Sequence, residues 1–175
     1  MMQSDIGMKI NSLKYWKQSV LKPTLILNMS NKMTKVAKVF SLFYATNNGA
    51  SPALELEFDT KGILNDKHYN KDIDRSVLIT SLESYALVEE NGIDIPYGAL
   101  GENLLIDYNP YALEVGTRLK ISEVILEISK HCTLCKSFTK IDTKLPKLLK
   151  NDRGIFAKVI QAGSIHAGDA MYILD

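Results

Sequence analysis

Cysteine, arginine and histidine are scarce in this chain of 175 residues: two, three and three respectively. Two cysteines cannot build a disulfide framework, which points to a reducing, cytoplasmic setting. No apolar run reaches the roughly 18 residues that a membrane span requires. Charge of one sign is lacking too. The formal net charge is +1, so nothing global favours nucleic acid or a membrane surface as partner. The length suits one domain with a substantial core, and a hydrophobic fraction of 46% is ordinary for a globular protein.

Because lysine supplies nearly all the positive charge, the three arginines, Arg75, Arg118 and Arg153, stand out. An arginine kept where lysine is the default cation is the better candidate for planar, bidentate recognition.

Residues 1–32 differ from the remainder. Lys9, Lys14, Lys17, Lys22 and Lys32 face a single acid, Asp5, and the only apolar patch is Leu25-Ile26-Leu27. That is too short for a secretory signal, and the segment reads as an N-terminal extension, flexible or docked, ahead of a domain over 33–175.

Short strands follow. Val36 to Phe43 is rich in β-branched and aromatic residues, Leu54 to Phe58 alternates strictly, and Ser76 to Ile79 is a short buried strand. Thr80 with Glu83 has the spacing of a capping box, and Asn91-Gly92 closes the helix that it opens. Asn103 to Ile106 is strand-like, Leu119 to Ile121 and Val124 to Ile128 pattern as a hairpin, and Leu145 to Leu149 suits a short helix. Ile155 to Ile160 and Met171 to Leu174 close the chain as strands. Many short strands with one or two short helices predict a mainly β barrel.

The sharpest local feature is His131-Cys132-Thr133-Leu134-Cys135-Lys136, directly after a predicted strand. Between Lys130 and Arg153 there are seven fixed positive charges and two negative ones, Asp142 and Asp152. Nearby positive charge favours thiolate, the nucleophilic and metal-binding form of cysteine. Taken alone the loop has several readings. The cysteines could be small buried hydrophobes, half of a zinc site, or a redox dithiol. A second Cys-x2-Cys is lacking for zinc, and the β-rich setting is wrong for a thioredoxin-like dithiol.

Other segments narrow the choice. Gly62 to His68, Asp74 to Ile79, Gly98-Ala99-Leu100-Gly101-Glu102-Asn103-Leu104, Val115 to Ile121, Thr133 to Phe138, Arg153 to Val159 and Ala167-Gly168-Asp169 follow one another in order. This series, spanning roughly residues 35 to 174, resembles the MOSC family, named for the C-terminal domain of molybdenum cofactor sulfurases, and in particular its small stand-alone bacterial members. The resemblance implies a β-barrel of the kind found in the pyruvate kinase barrel domain. It also implies molybdenum cofactor, molybdenum held by a pterin dithiolene, as ligand.

On that resemblance Cys135 is the metal ligand and catalytic cysteine, and His68 is the nearest general acid. Arg75, Glu102, Asn103 and Lys136 are the expected cofactor-binding residues, with Arg75 on the pterin phosphate or bracing a loop carboxylate. Asn103 is expected at a pterin edge, Glu102 beside Arg75, and Cys132 packed. Arg153-Gly154 and Ala167-Gly168-Asp169 read as architectural, leading a strand and making a tight turn.

The activity implied is reduction of N-hydroxylated compounds, such as hydroxylamino-purines or amidoximes. The chain has no Gly-x-Gly-x-x-Gly dinucleotide motif and too few cysteines for a plant-type iron–sulfur cluster, so a separate protein is expected to supply electrons. Two alternatives stay open. One is a sulfur carrier or cofactor chaperone with a persulfide on Cys135, served in trans by a desulfurase that holds pyridoxal phosphate. The other is a non-catalytic β-barrel binding module whose cysteines are structural. A small-molecule substrate is expected, and neither nucleic acid nor membrane.

Overall fold

Strand β1 (Met33–Thr46) is 14 residues long and serves two neighbours in turn. Its first half pairs antiparallel with β11 (Ala170–Leu174), with Lys38 opposite Ala170. Its second half pairs with β6 (Leu104–Ile106) and with the edge strand β2 (Gly49–Ala53). Because β1 reaches both ends of the sheet, that sheet closes. Seven strands run around it in the order β11, β7 (Arg118–Ile121), β8 (Val124–His131), β9 (Ile155–Gln161), β5 (Val77–Ser81), β6 and β1. Closure removes the exposed strand edges that an open sheet would have to protect. The pair β5–β6 is parallel and carries helix α1 (Leu82–Glu90) in its crossover.

The computed structural model describes residues 32–133 and 136–175. The expected N-terminal extension therefore lies outside the described residues, apart from Lys32. Among the described residues there are two helices, α1 and α2 (Leu145–Leu148), and otherwise strands and single 3-10 turns. The mainly β barrel with few helices is what the structure shows. No described helix is long and apolar enough to cross a membrane.

Alternation of side chains explains the core. Along β8, Val124, Leu126 and Ile128 point inward and are buried, while Ile125, Glu127 and Ser129 are only partly covered. They join Val39, Val77, Ile79, Leu104, Leu119 and Ile155 inside the barrel. Each such side chain contributes about 1.5–3 kcal/mol by leaving water. A small sheet of β3 (Glu55–Asp59), β4 (Gly62–Ile63) and β10 (Gly163–His166) adds Leu56, Phe58 and Ile165 to the same core. Strand β6 is buried on both faces. Leu104 and Ile106 enter the barrel, whereas Leu105 turns outward to meet Tyr85, Val88, Phe138 and Leu145 beneath the helices.

The helix start differs by one residue from the capping box read in the sequence. Ser81 is the N-cap and accepts from the Ser84 amide at 3.2 Å. Thr80 is still in β5, opposite Leu105, and its hydroxyl donates to the Arg153 carbonyl at 2.8 Å. Strand pairing holds Thr80 extended, which leaves the cap to its neighbour.

Candidate functional site

One end of the barrel gathers the residues that sequence reasoning scattered over the chain. A cleft of about 490 Å³ is lined by Ala45, His68, Lys71, Arg75, Asn103, Arg153 and Phe156, among others. These come from the end of β1, the loop after β4, the turn before β5, the loop before β6 and the start of β9. A second compartment of about 390 Å³ adjoins it, sharing Ala45, His68, Gly101 and Arg153.

The loop carrying His68 is fixed by a buried carboxylate. Asp66 Oδ1 accepts from the His68 amide at 2.7 Å, and its Oδ2 accepts from the Ala45 amide at 2.6 Å and from Asn103 Nδ2 at 3.1 Å. Asn103 completes the clamp. Its Oδ1 accepts from the Leu78 amide at 3.0 Å, and Nδ2 also donates to the Phe43 carbonyl at 3.2 Å. Both amide protons of Asn103 are thus engaged within the protein, so it holds three elements together and has no proton left for a pterin edge. His68 itself is exposed at the rim. Partial burial holds its pKa below the ordinary histidine value, with Lys67, Lys71 and Arg75 adding to the effect against Asp66.

The arginines frame the cleft. Arg75, in the 3-10 turn Ile73–Arg75, is exposed, with its guanidinium carbon 4.8 Å from the centre of the Phe156 ring. Arg153 lines the same cleft and holds the residues on either side of Cys135. Its Nη2 donates to the Leu100 carbonyl at 3.3 Å and its Nη1 to the Thr133 carbonyl at 3.4 Å, and its guanidinium lies over Phe138. Next to it, the Cys132 amide donates to the Gly154 carbonyl at 2.9 Å. Cys132 is 1% exposed and packs as a buried residue. Cys135 lies outside the described residues, and so does the side chain of Lys136.

Gly154 makes this arrangement possible. Its φ is +123°, and a Cβ there would lie 2.1 Å from the Ile79 carbonyl oxygen, so only glycine lets β9 begin so close to β5.

Glu102 is placed differently from its expected position beside Arg75. It is 1% exposed, and its Oε1 accepts from the Tyr85 hydroxyl at 2.6 Å and from the Gly98 amide at 2.8 Å. Burial raises its pKa above the ordinary carboxylate range, against the pull of the Tyr85 bond and of Arg153. Burial likewise pushes the Tyr85 hydroxyl well up. Two buried polar atoms in this region have no partner among the described residues, Glu102 Oε2 and Arg153 Nε.

The electrostatics favour an anion in the larger cleft. Lys71, Arg75 and Arg153 line it against Asp72, and none of those three cations is in an ion pair among the described residues. A groove of equal volume beside α1 carries Glu89 and Asp94 and no cation. Arg118, the third arginine, is engaged elsewhere, 3.0 Å from Glu127 across the β7–β8 pair. Arg153, read from the sequence as architectural, makes architectural contacts here and also lines the cleft.

The family model described as "MOSC domain" matches residues 59–172, well over half of the chain. This chain belongs to the MOSC domain family. Solved MOSC-like folds agree in architecture. YuaD from Bacillus subtilis superimposes with a TM-score of 0.67 at 19% identity, over 81% of this chain and 97% of its own. YiiM from Geobacillus stearothermophilus gives 0.59 at 16%, over 82% and 76% respectively. YiiM from Escherichia coli gives 0.63 at 18%, over 79% and 70%. At such identities the likeness concerns fold alone. No curated protein matches the sequence closely enough to count as a relative.

Proposed function

We propose that this MOSC protein binds molybdenum cofactor in the cation-lined cleft, with Cys135 as the metal's protein ligand, and reduces N-hydroxylated compounds. The observation that carries the reading is the convergence of Lys71, Arg75 and Arg153 on one cleft whose wall includes the anchor of the cysteine loop. Thr133 and Phe138, on either side of Cys135 in the chain, are both in contact with Arg153.

The donor set fits such a group. Among the described residues no cluster of three or more His, Cys, Asp or Glu side chains could hold a metal ion alone. A pterin dithiolene brings most of its metal's ligands with it, and a thiolate is the soft ligand suited to complete the set. The cleft volume lies within the range of small-molecule sites, about 300–1,000 Å³.

When bound, the cofactor would supply two-electron redox chemistry. The overall reaction breaks one N–O bond, takes two electrons from a separate donor protein and two protons, and releases the amine and water. This chain's own part is to bind and to move protons. Arg75 and Lys71 neutralise the terminal phosphate, and Arg153 keeps the cysteine loop against the cleft. His68, held by Asp66 at the rim, delivers a proton toward the leaving oxygen.

The test is chemical extraction. Protein purified from a host that makes the cofactor should release a fluorescent pterin on acid oxidation, and should reduce benzamidoxime with an artificial electron donor. Loss of both from Arg75→Ala at unchanged melting temperature supports the reading. Absence of pterin from the wild-type protein overturns it.

A further inference from the structure

We infer that the groove beside α1 is a docking site for a segment of a partner protein in which lysines or arginines flank an apolar side chain. The groove shares no lining residue with the cationic cleft, so the inference stands apart from the function proposed above.

The first argument is charge. From Ser76 to Thr117 the chain has neither lysine nor arginine, yet it carries seven acidic residues. Helix α1 lies in this stretch, ends on Glu89 and Glu90, and has no basic residue in its last turn. A helix C-terminus is the negative end of the backbone dipole, where cations are favourable and carboxylates are not. Asp94 follows just beyond it and lines the groove together with Glu89. Both are exposed, and neither is in an ion pair among the described residues. Folding alone disfavours that arrangement, and cations brought by a partner relieve it.

The second argument is shape. Gly92, with a φ of +74°, turns the chain at the end of α1, and the Ile93 amide donates back to the Val88 carbonyl at 3.2 Å. The helix thus forms one wall of the groove and the segment from Ile93 to Tyr97 the other, around about 490 Å³. Leu82, Tyr85, Ile93 and Ile95 make the lining largely apolar.

The third is an aromatic row at the rim. Tyr97 meets Tyr85 edge to face, with ring centres 4.9 Å apart, and meets Phe40 in the same manner at 5.6 Å. Phe40 and Tyr97 nevertheless remain 50% and 48% exposed. Rings already held by one another lose little freedom when covered, which suits them as anchors for a partner's apolar side chain. An acidic rim beside aromatic and aliphatic walls therefore fits a basic segment with an apolar centre.

Magnetic resonance titration of the isotope-labelled full chain with the peptide Lys-Lys-Leu-Leu-Lys-Lys tests the inference. Saturable shifts are expected at the amides of Ala86, Glu89, Ile93 and Tyr97. Joint replacement Glu89→Lys and Asp94→Lys should weaken binding by about tenfold or more without lowering the melting temperature, and Tyr97→Ala should weaken it by about fivefold. Raising salt from about 0.1 M to about 1 M should weaken it too, because the screening length falls from about 10 Å to about 3 Å. Pterin content of these variants should match wild type, which separates failure here from failure of the proposed function. Absence of saturable shifts, or shifts confined to other residues, overturns the inference. Equal affinity for Lys-Lys-Ser-Ser-Lys-Lys also overturns it, since charge alone would then suffice, and so does equal affinity for Glu-Glu-Leu-Leu-Glu-Glu. A wild-type dimer in sedimentation that Tyr97→Ala dissociates would overturn it by making a second copy the occupant.

Discussion

Arg153 lies over the ring of Phe138, with its guanidinium carbon 4.4 Å from the ring centre. The contact links the strand that leads away from the cleft to the segment just after the cysteine loop, and the Thr133 carbonyl gives the same guanidinium a hold on the segment just before it.

Lysine cannot reproduce that planar, two-sided contact. Arg153→Lys should lower stability by about 1–2 kcal/mol, from one cation–π contact and two long hydrogen bonds. It should also speed hydrogen exchange at the Cys132 amide, which is bonded to the neighbouring Gly154 carbonyl. A variant that melts and exchanges like wild type would show that Arg153 does not anchor the loop.

Gly154→Ala should be far more damaging. The new methyl would meet the Ile79 carbonyl at 2.1 Å in a backbone conformation that alanine avoids, so a loss of about 3 kcal/mol or more is expected in urea unfolding. A loss below about 1 kcal/mol would mean that β9 can start farther from β5 than it does.

Much of this was legible in the sequence because it rests on local pattern. Alternation over Leu54 to Phe58 located β3, short apolar runs located β9 and β11, and the ordered motifs marked Arg75, His68 and Asn103, which the fold brings to one cleft. The strand Gly49–Ala53 was not legible: its residues are small, one is proline, and it pairs only along β1 at a sheet edge. The roles of Asn103 and Glu102 depended on partners 60 and 17 residues distant, Phe43 and Tyr85, which no local pattern reveals. The contacts of Arg153, with Leu100, Thr133 and Phe138, likewise depend on residues distant in sequence.

Glu102 gives a pH signature. Its pKa is raised in the folded protein, so above the unfolded carboxyl value near 4.5 the folded state binds more protons than the unfolded one. Stability from this group is complete below that value and declines as pH rises through the raised folded pKa. Glu102→Gln keeps an oxygen for the Tyr85 and Gly98 donors and removes the titration. Urea unfolding from pH 4.5 upward should therefore show a flatter profile for the variant than for wild type, and parallel profiles would contradict the burial argument.

His68 predicts the kinetic profile. Its lowered pKa leaves the protonated form in the minority at neutral pH, so N–O reduction should quicken as pH falls toward and below 6.5. His68→Gln should abolish that acid limb without changing pterin content. Persistence of the limb in the variant would assign the proton to another group.

The central claim is that one thiolate completes the coordination of molybdenum, and metal stoichiometry reads it directly. Elemental analysis of wild-type and Cys135→Ser protein, purified side by side from a host that makes the cofactor, should give about one molybdenum per chain for the first and less than about a tenth for the second. Equal molybdenum in the two proteins, or none in either, would contradict the account.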